Sequence, residues 1–245
     1  MKVLFLDIEI SPTLATIWGL FNQNINIDAI IGDSKMLTWA ASWEGEDSVL
    51  YSDGLDDHKA MVKAIHGLLE DADYVVTYNG DRFDLKILNR EFLEAGLSPP
   101  SPYKSIDLFK TIKKNFKFTS NKLDYITSKL GLGSKLKHRG YQLWLDCMNG
   151  KRSAFKEMSE YNVQDVVLLE KLFYTLTPWI SNINRAMHSG EYVCTKCGST
   201  HLHHRGTRKT TVGEYERLQC QSCGGWSTGS QVLERTEIST RLRPL

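Results

Sequence analysis

Two acids two residues apart, Asp7 and Glu9, interrupt the aliphatic run at residues 3–10 of this 245-residue chain. On a strand, residues i and i+2 project from one face, about 7 Å apart along the chain. Carboxylates so placed among buried-type residues suffer desolvation and mutual repulsion, which divalent cations relieve best. The plainer alternative is a strand end with both acids in water. A second acid group follows in Asn79-Gly-Asp-Arg-Phe-Asp84, which joins a β-rich run to a helical pattern. Asp84 then falls at a helix N-terminus, where negative charge is favoured. Of the two aspartates, Asp81 is the better capping candidate, which leaves Asp84 for other work. Tyr161 and Asp165, in Tyr-Asn-Val-Gln-Asp, are four apart on a long helical pattern and share one face.

Cysteine points to a second metal chemistry. Cys194-Thr-Lys-Cys197-Gly198 and Cys220-Gln-Ser-Cys223-Gly224 form C-x2-C-x22-C-x2-C, with Cys147 standing alone. Two such pairs suit a tetrahedral zinc, each as a tight knuckle whose following glycine tolerates positive φ. Four cysteines complete the shell, so His201, His203 and His204 are assigned to hairpin surface. A piece of this size needs its metal to fold.

The order Asp-x-Glu on a first strand, Asn-x-x-x-Phe-Asp after a later strand and Tyr-x-x-x-Asp on a late helix resembles the DEDD exonucleases of the DnaQ-like group. The branch is the one with tyrosine in its third motif, since the histidine branch would place His where Glu160 stands. The similarity runs over roughly residues 1–180. It is greatest to the exonuclease domains of family B DNA polymerases and their stand-alone relatives. Ile106-Asp107-Leu108-Phe109 and Leu130-Gly-Leu-Gly-Ser-Lys135 are secondary matches.

The resemblance implies an RNase H-like fold and phosphodiester hydrolysis from the 3′ end by two Mg²⁺ or Mn²⁺ ions. It implies Asp7 bridging both ions, Glu9 and Asp165 on the ion that activates water, and Asp84 acting through outer-shell water on the other. Tyr161 would orient that water. A phenol with an ordinary pKa near 10 is a poor base at neutral pH. Without metal, the acids should titrate as a coupled set. Asn79 and Phe83 are candidates to line the terminal-nucleotide site, or merely to fix their turn. Lys135 is a candidate phosphate contact, or an inert surface lysine.

These side chains need a scaffold, and hydrophobic patterning supplies one. Residues 3–10 read as a central strand, and 37–42 and 48–52 as partners that open a meander. Residues 59–69 read as a helix, 74–78 as a strand, and 84–95 as a helix ending at Gly96. A helix over 123–130 stops at Gly131 and Gly133, and a long one covers 155–176. The fold class is α/β, with an RNase H-like mixed sheet flanked by helices and a small C-terminal zinc ribbon. The expected domains are 1–188, the exonuclease, and 189–245, the ribbon. Trp18, Trp39, Trp43, Trp144 and Trp179 are assigned to packing.

Composition bounds the partners. A net charge of +1 is uninformative, but residues 104–139 carry ten Lys or Arg against Asp107 and Asp124, interleaved with Tyr103, Phe109, Phe116, Phe118 and Tyr125. Lysines neutralise phosphates and aromatic faces stack on unpaired bases. A solvated helical face with its aromatics in the core is the equal alternative. Residues 189–245 hold 8 basic and 5 acidic residues. That piece suits a grip on nucleic acid or a protein partner. Single-stranded DNA is the expected substrate. The alternatives are RNA, hydrolysed by the same chemistry, and a non-catalytic nucleic-acid-binding adaptor with a nuclease fold. Asp7 and Glu9 break the first apolar run before a signal core or membrane span forms, and the cysteine pattern suits a reducing, cytoplasmic setting.

Overall fold

A computed structural model describes residues 1–189, 192–211 and 213–235. Residues 190, 191, 212 and 236–245 of the expected ribbon domain lie outside these. The chain forms two compact units, residues 2–173 and residues 174–245 with Met1.

The first unit is built on strand β1 (Val3–Ile10). A small ribbon of β2 (Leu14–Ala15) and β3 (Ile30–Gly32) follows, then β4 (Met36–Trp43) and β5 (Leu50–Asp53). After helix α1 (His58–Asp71) come β6 (Tyr74–Thr77), α2 (Asp84–Glu94) and β7 (Lys104–Asp107). The sheet order is β5-β4-β1-β6-β7, so β1 is central. It pairs antiparallel with β4, as the expected meander requires, and parallel with β6. Helices α3 (Leu108–Asn115), α4 (Leu123–Lys129), α5 (Tyr141–Met148) and α6 (Arg152–Leu176) complete the unit.

Alternation along β1 separates two jobs. Leu4, Leu6 and Ile8 enter a core with Met61, Ile65 and Leu69 of α1 and Leu88 and Phe92 of α2. Phe5 and Asp7 face α6 instead: Phe5 meets Phe173 edge-on at 5.2 Å, and Asp7 accepts a hydrogen bond from Asn162. Burying one large apolar side chain contributes about 2 kcal/mol. Leu4, Phe5 and Leu6, all fully buried, therefore work against the cost of holding Asp7 and Glu9 further along the strand. The strand can be rigid and still carry charge.

Sequence patterning missed β7, α3 and α5, and began α6 three residues late. Strand β7 is a four-residue edge strand opening with exposed Lys104. Helix α5 starts after Gly140 at φ 69° without a side-chain cap, so neither sent a start signal. Asp81 does not cap α2. The N-cap is Phe83, with no side-chain bond, and Asp81 turns instead to Ser105 and Lys110.

In the second unit a short helix α7 (Ala186–Ser189) precedes β8 (Leu202–Lys209), β9 (Gly213–Cys220) and β10 (Trp226–Arg235), an antiparallel sheet in the order β10-β9-β8. Among the described residues, no helix is long and apolar enough to cross a membrane.

Candidate active site

Strand β1 delivers Asp7 and Glu9, and α6 delivers Tyr161 and Asp165 one turn apart. Carboxylate oxygens of Asp7, Glu9 and Asp165 all lie within 4.8 Å of one another. Asp165 is buried, and its Oδ1 has no hydrogen-bond partner among the described residues. Its Oδ2 takes the ammonium of Lys135, which also donates to Tyr161 Oη at 3.0 Å. Lys135 reaches this point because Asp124, in the first turn of α4, accepts its backbone N–H at 2.8 Å.

Asp84 is the first residue of α2, as its motif required. It stands outside the tight trio. Its carboxylate accepts the backbone N–H groups of Ile8 and of Asp84 itself, which places it against β1. The turn before it is tightly specified. Asn79 sits at φ 67°, its N–H donates to Asp107 Oδ1 at 2.8 Å, and its carbonyl accepts from Arg82 and Phe83. A Cβ on Gly80 would fall 2.4 Å from Thr77 Oγ1, so only glycine fits there. Asp107 also caps α3 through Phe109 N–H at 3.0 Å and Lys110 N–H at 3.4 Å. The Phe83 ring is half exposed beside Asp84.

Electrostatics follow from burial. Desolvation, then the charges of Asp84, Asp165 and Glu9, push Asp7 well above the carboxylate range, with Lys135 opposing. Burial lifts Glu9 to about 7 against the pull of Lys135, and lifts Asp84 to about 6 against its two amide bonds. Asp165 is raised by burial, again against Lys135. Tyr161 is pushed up to about 12 by burial and by Asp165. Burial works against the charge of Lys135, yet Asp165 and Tyr161 hold it above the lysine range. Three carboxylates with raised pKa values converge on one point, a group that could hold a metal ion.

Two contributors were not singled out from sequence. Asn162, fully buried, donates from Nδ2 to Asp7 Oδ2 at 2.7 Å and accepts from Thr38 Oγ1 at 3.1 Å, tying α6 to β1 and β4. Its signal lay in the third motif itself, as an amide on the buried stripe next to Tyr161. Trp144, assigned to packing, does pack, against the cluster of Leu143, Phe155, Met158 and Tyr161, and in addition stands edge-on to Tyr161 at 6.3 Å and to His138 at 4.9 Å and eases the charge of Glu9. With Tyr141, Ile10, Ser11 and Pro12 it lines a cavity of about 400 Å³.

In the basic stretch, nine of the ten Lys and Arg residues are exposed, Lys135 being the exception, and none of the five aromatic residues is fully buried. The aromatics are half-buried, and Tyr103 packs against the core of the sheet and α1 and α2. Lys113 lies over Phe109 at 5.5 Å and Lys129 over Tyr125 at 5.8 Å.

In the second unit the sulfurs of Cys194, Cys197, Cys220 and Cys223 converge, with Cys194–Cys223 at 3.8 Å and Cys197–Cys220 at 3.6 Å. A tetrahedral zinc with bonds of ~2.3 Å spaces its sulfurs by about 3.8 Å. Gly198 and Gly224 have φ 78° and 76°, as the knuckles demand. Lys196 N–H and Gly225 N–H each point to a knuckle sulfur at 3.4 Å. Arg185 is bonded to this knuckle through Thr195 O and Lys196 O, both at 2.9 Å.

A family described as the RNase_H superfamily matches residues 33–177. The match takes in Asp84, Tyr161 and Asp165 and begins after Asp7 and Glu9. Among solved structures, the chain is similar to the family B DNA polymerase from the hyperthermophilic archaeon Pyrobaculum calidifontis. The identity is 16% and the TM-score 0.52, covering 72% of this chain and 25% of the polymerase. The chain thus spans about a quarter of that polymerase, and the likeness is one of fold. No curated protein matches. With the family match covering more than half of the chain and the sheet order and acid-bearing strand described above, the chain belongs to the RNase_H superfamily.

Proposed function

We propose that this chain is a metal-dependent 3′-to-5′ exonuclease of the DEDD type, tyrosine branch, acting on single-stranded DNA. The observation that carries the reading is the convergence of Asp7, Glu9 and Asp165 within 4.8 Å around a buried, unpartnered Asp165 oxygen. Hard oxygen donors in that number fit Mg²⁺ or Mn²⁺. Asp7, Glu9 and Asp165 would hold the ions, with Asp84 beyond them. A pair of such ions supplies an activated water and neutralises charge on the phosphate.

The chain's own groups do the rest. Tyr161, with a phenol near 12, stays protonated and orients water through Oη rather than removing its proton. Lys135 carries a fixed positive charge to Asp165 and Tyr161, and would offer that charge to a phosphate oxygen. Phe83 offers a half-exposed ring to a terminal nucleotide, with Asn79 at the head of the same turn. The exposed lysines and half-exposed aromatics of 104–139 would track the strand behind it.

The functional boundary lies near residue 189. Residues 1–188 form the nuclease, and residues 189–245 form a ribbon whose four cysteines hold a structural zinc and which grips nucleic acid or a protein partner. A reduced tetracysteine site suits the cytoplasm.

The deciding experiment incubates end-labelled single-stranded DNA, duplex DNA and RNA with Mg²⁺, Mn²⁺ or neither ion, and sizes the products. Stepwise shortening of single-stranded DNA, stopped by a bulky 3′ block and indifferent to a 5′ block, is expected. Preference for RNA would make it an exoribonuclease. Tight binding without hydrolysis would make it an adaptor.

A further inference from the structure

We propose that residues 14–31 form a self-association surface through which two copies of this chain pair. Between Lys2 and Lys35 there is no Lys or Arg, and Asp28 is the one charged residue from Pro12 to Gly32, in a chain that is 24% charged overall. The segment is strongly apolar and turned outward: Trp18 is 104% exposed, and Leu20, Phe21, Ile25, Ile27 and Ile31 are all exposed.

Its internal support is thin. Strands β2 and β3 are two and three residues long and, among the described residues, pair only with each other, and the arm folds loosely over a cavity of about 250 Å³. A two-stranded ribbon of this size is marginal alone, so the arm gains order from whatever covers it.

The chemistry of the arm selects the occupant. Without a single cation it lacks attraction for a phosphate backbone or an anionic lipid surface, and the exposed lysines that suit a polyanion sit in residues 104–139. An apolar protein surface remains. Trp18 and Phe21 alone present on the order of 400 Å² of apolar area. With the exposed aliphatic side chains, the arm reaches the ~800 Å² per partner that a standard interface buries, beyond the few hundred Å² usual for a monomer's surface. A two-fold axis presses a surface against its own image, so a patch with one charge meets its copy almost without like-charge conflict. The free edges of β2 and β3 give such a pair a way to extend the ribbon by strand addition.

The test measures the mass of the full chain by light scattering across a concentration series, for the wild type, Trp18→Glu and Phe21→Glu. Both substituted side chains point into solvent, so far-UV circular dichroism and zinc content should be unchanged, which separates loss of pairing from misfolding. A doubling of mass with concentration in the wild type, abolished in both variants, is expected. A wild type that stays monomeric, or a dimer untouched by either substitution, overturns the proposal. So does a monomeric wild type whose single-stranded DNA binding is weakened by Trp18→Glu, which would assign the arm to the substrate.

Discussion

Glu9→Gln should make the metal-free protein more stable, and the size of the effect follows from the site. Burial raises Glu9 from an ordinary 4.5 to about 7. A carboxyl whose folded pKa lies above its unfolded value costs stability. The cost is fully present above the folded value, fades as pH falls through it, and is gone below the unfolded value. The window is therefore pH 7 to 4.5. At about 1.4 kcal/mol per tenfold in proton affinity, the cost above pH 7 is about 3 kcal/mol. For a domain of this size it corresponds to a melting-temperature gain of roughly 6–12 °C for Glu9→Gln at pH 8, shrinking to little at pH 5.

The assay is thermal denaturation at both pH values in buffer free of Mg²⁺ and Mn²⁺. No chelator is used, so that any metal held by the four cysteines stays in place. Adding Mn²⁺ should reverse the order, because wild type gains stability by binding an ion that the variant holds poorly. A variant that melts at or below wild type at pH 8 without Mn²⁺, or a gain that persists at pH 5, refutes the account of Glu9 as a desolvated carboxylate awaiting a cation.

Asp7→Ala and Asp165→Ala should each abolish hydrolysis while single-stranded DNA binding, measured by fluorescence anisotropy, is retained; activity in either removes the site assignment. Asn162→Ala should raise the Mg²⁺ concentration for half-maximal rate by roughly 10–100-fold, the usual effect of losing the group that orients a metal ligand. An unchanged metal requirement would reduce Asn162 to packing. Tyr161→Phe should lower kcat by roughly 10²-fold with KM nearly unchanged, since one oriented hydrogen bond is lost, and complete loss in single-turnover assays would give the phenol a larger role. Cys220→Ser should release zinc and unfold the ribbon, leaving the rate at saturating substrate unchanged while weakening affinity and flattening its salt dependence. A collapsed kcat would mean that the ribbon completes the site.

What the sequence displays is short-range. Asp7 and Glu9 share a face because strands alternate, Tyr161 and Asp165 because helices turn, and the cysteine pairs announce knuckles by spacing alone. The sheet around them was legible wherever strands were long and aliphatic. What it hides is long-range. Asn162 meets Asp7 across 155 positions and Thr38 across 124, and no periodicity reports such a meeting. Trp144 is read correctly as a packing aromatic, but its bearing on Glu9 arises only once α5 packs near β1. Asp81 had the composition of a cap and was drawn away by Ser105 and Lys110, competitors brought close by the parallel pairing of β6 with β7.

Asp107 joins parts that the chain keeps far apart. One carboxylate oxygen holds both the Asn79 amide, at the head of the acid-bearing turn, and the first amides of α3, from which Lys110, Lys113 and Lys114 project. The segment that would feel the strand's phosphates and the segment that positions Asp84 are therefore fastened to a single peg. A strand held by the lysines of α3 would therefore be tied to the turn before Asp84 through this one carboxylate oxygen, with no flexible linker between.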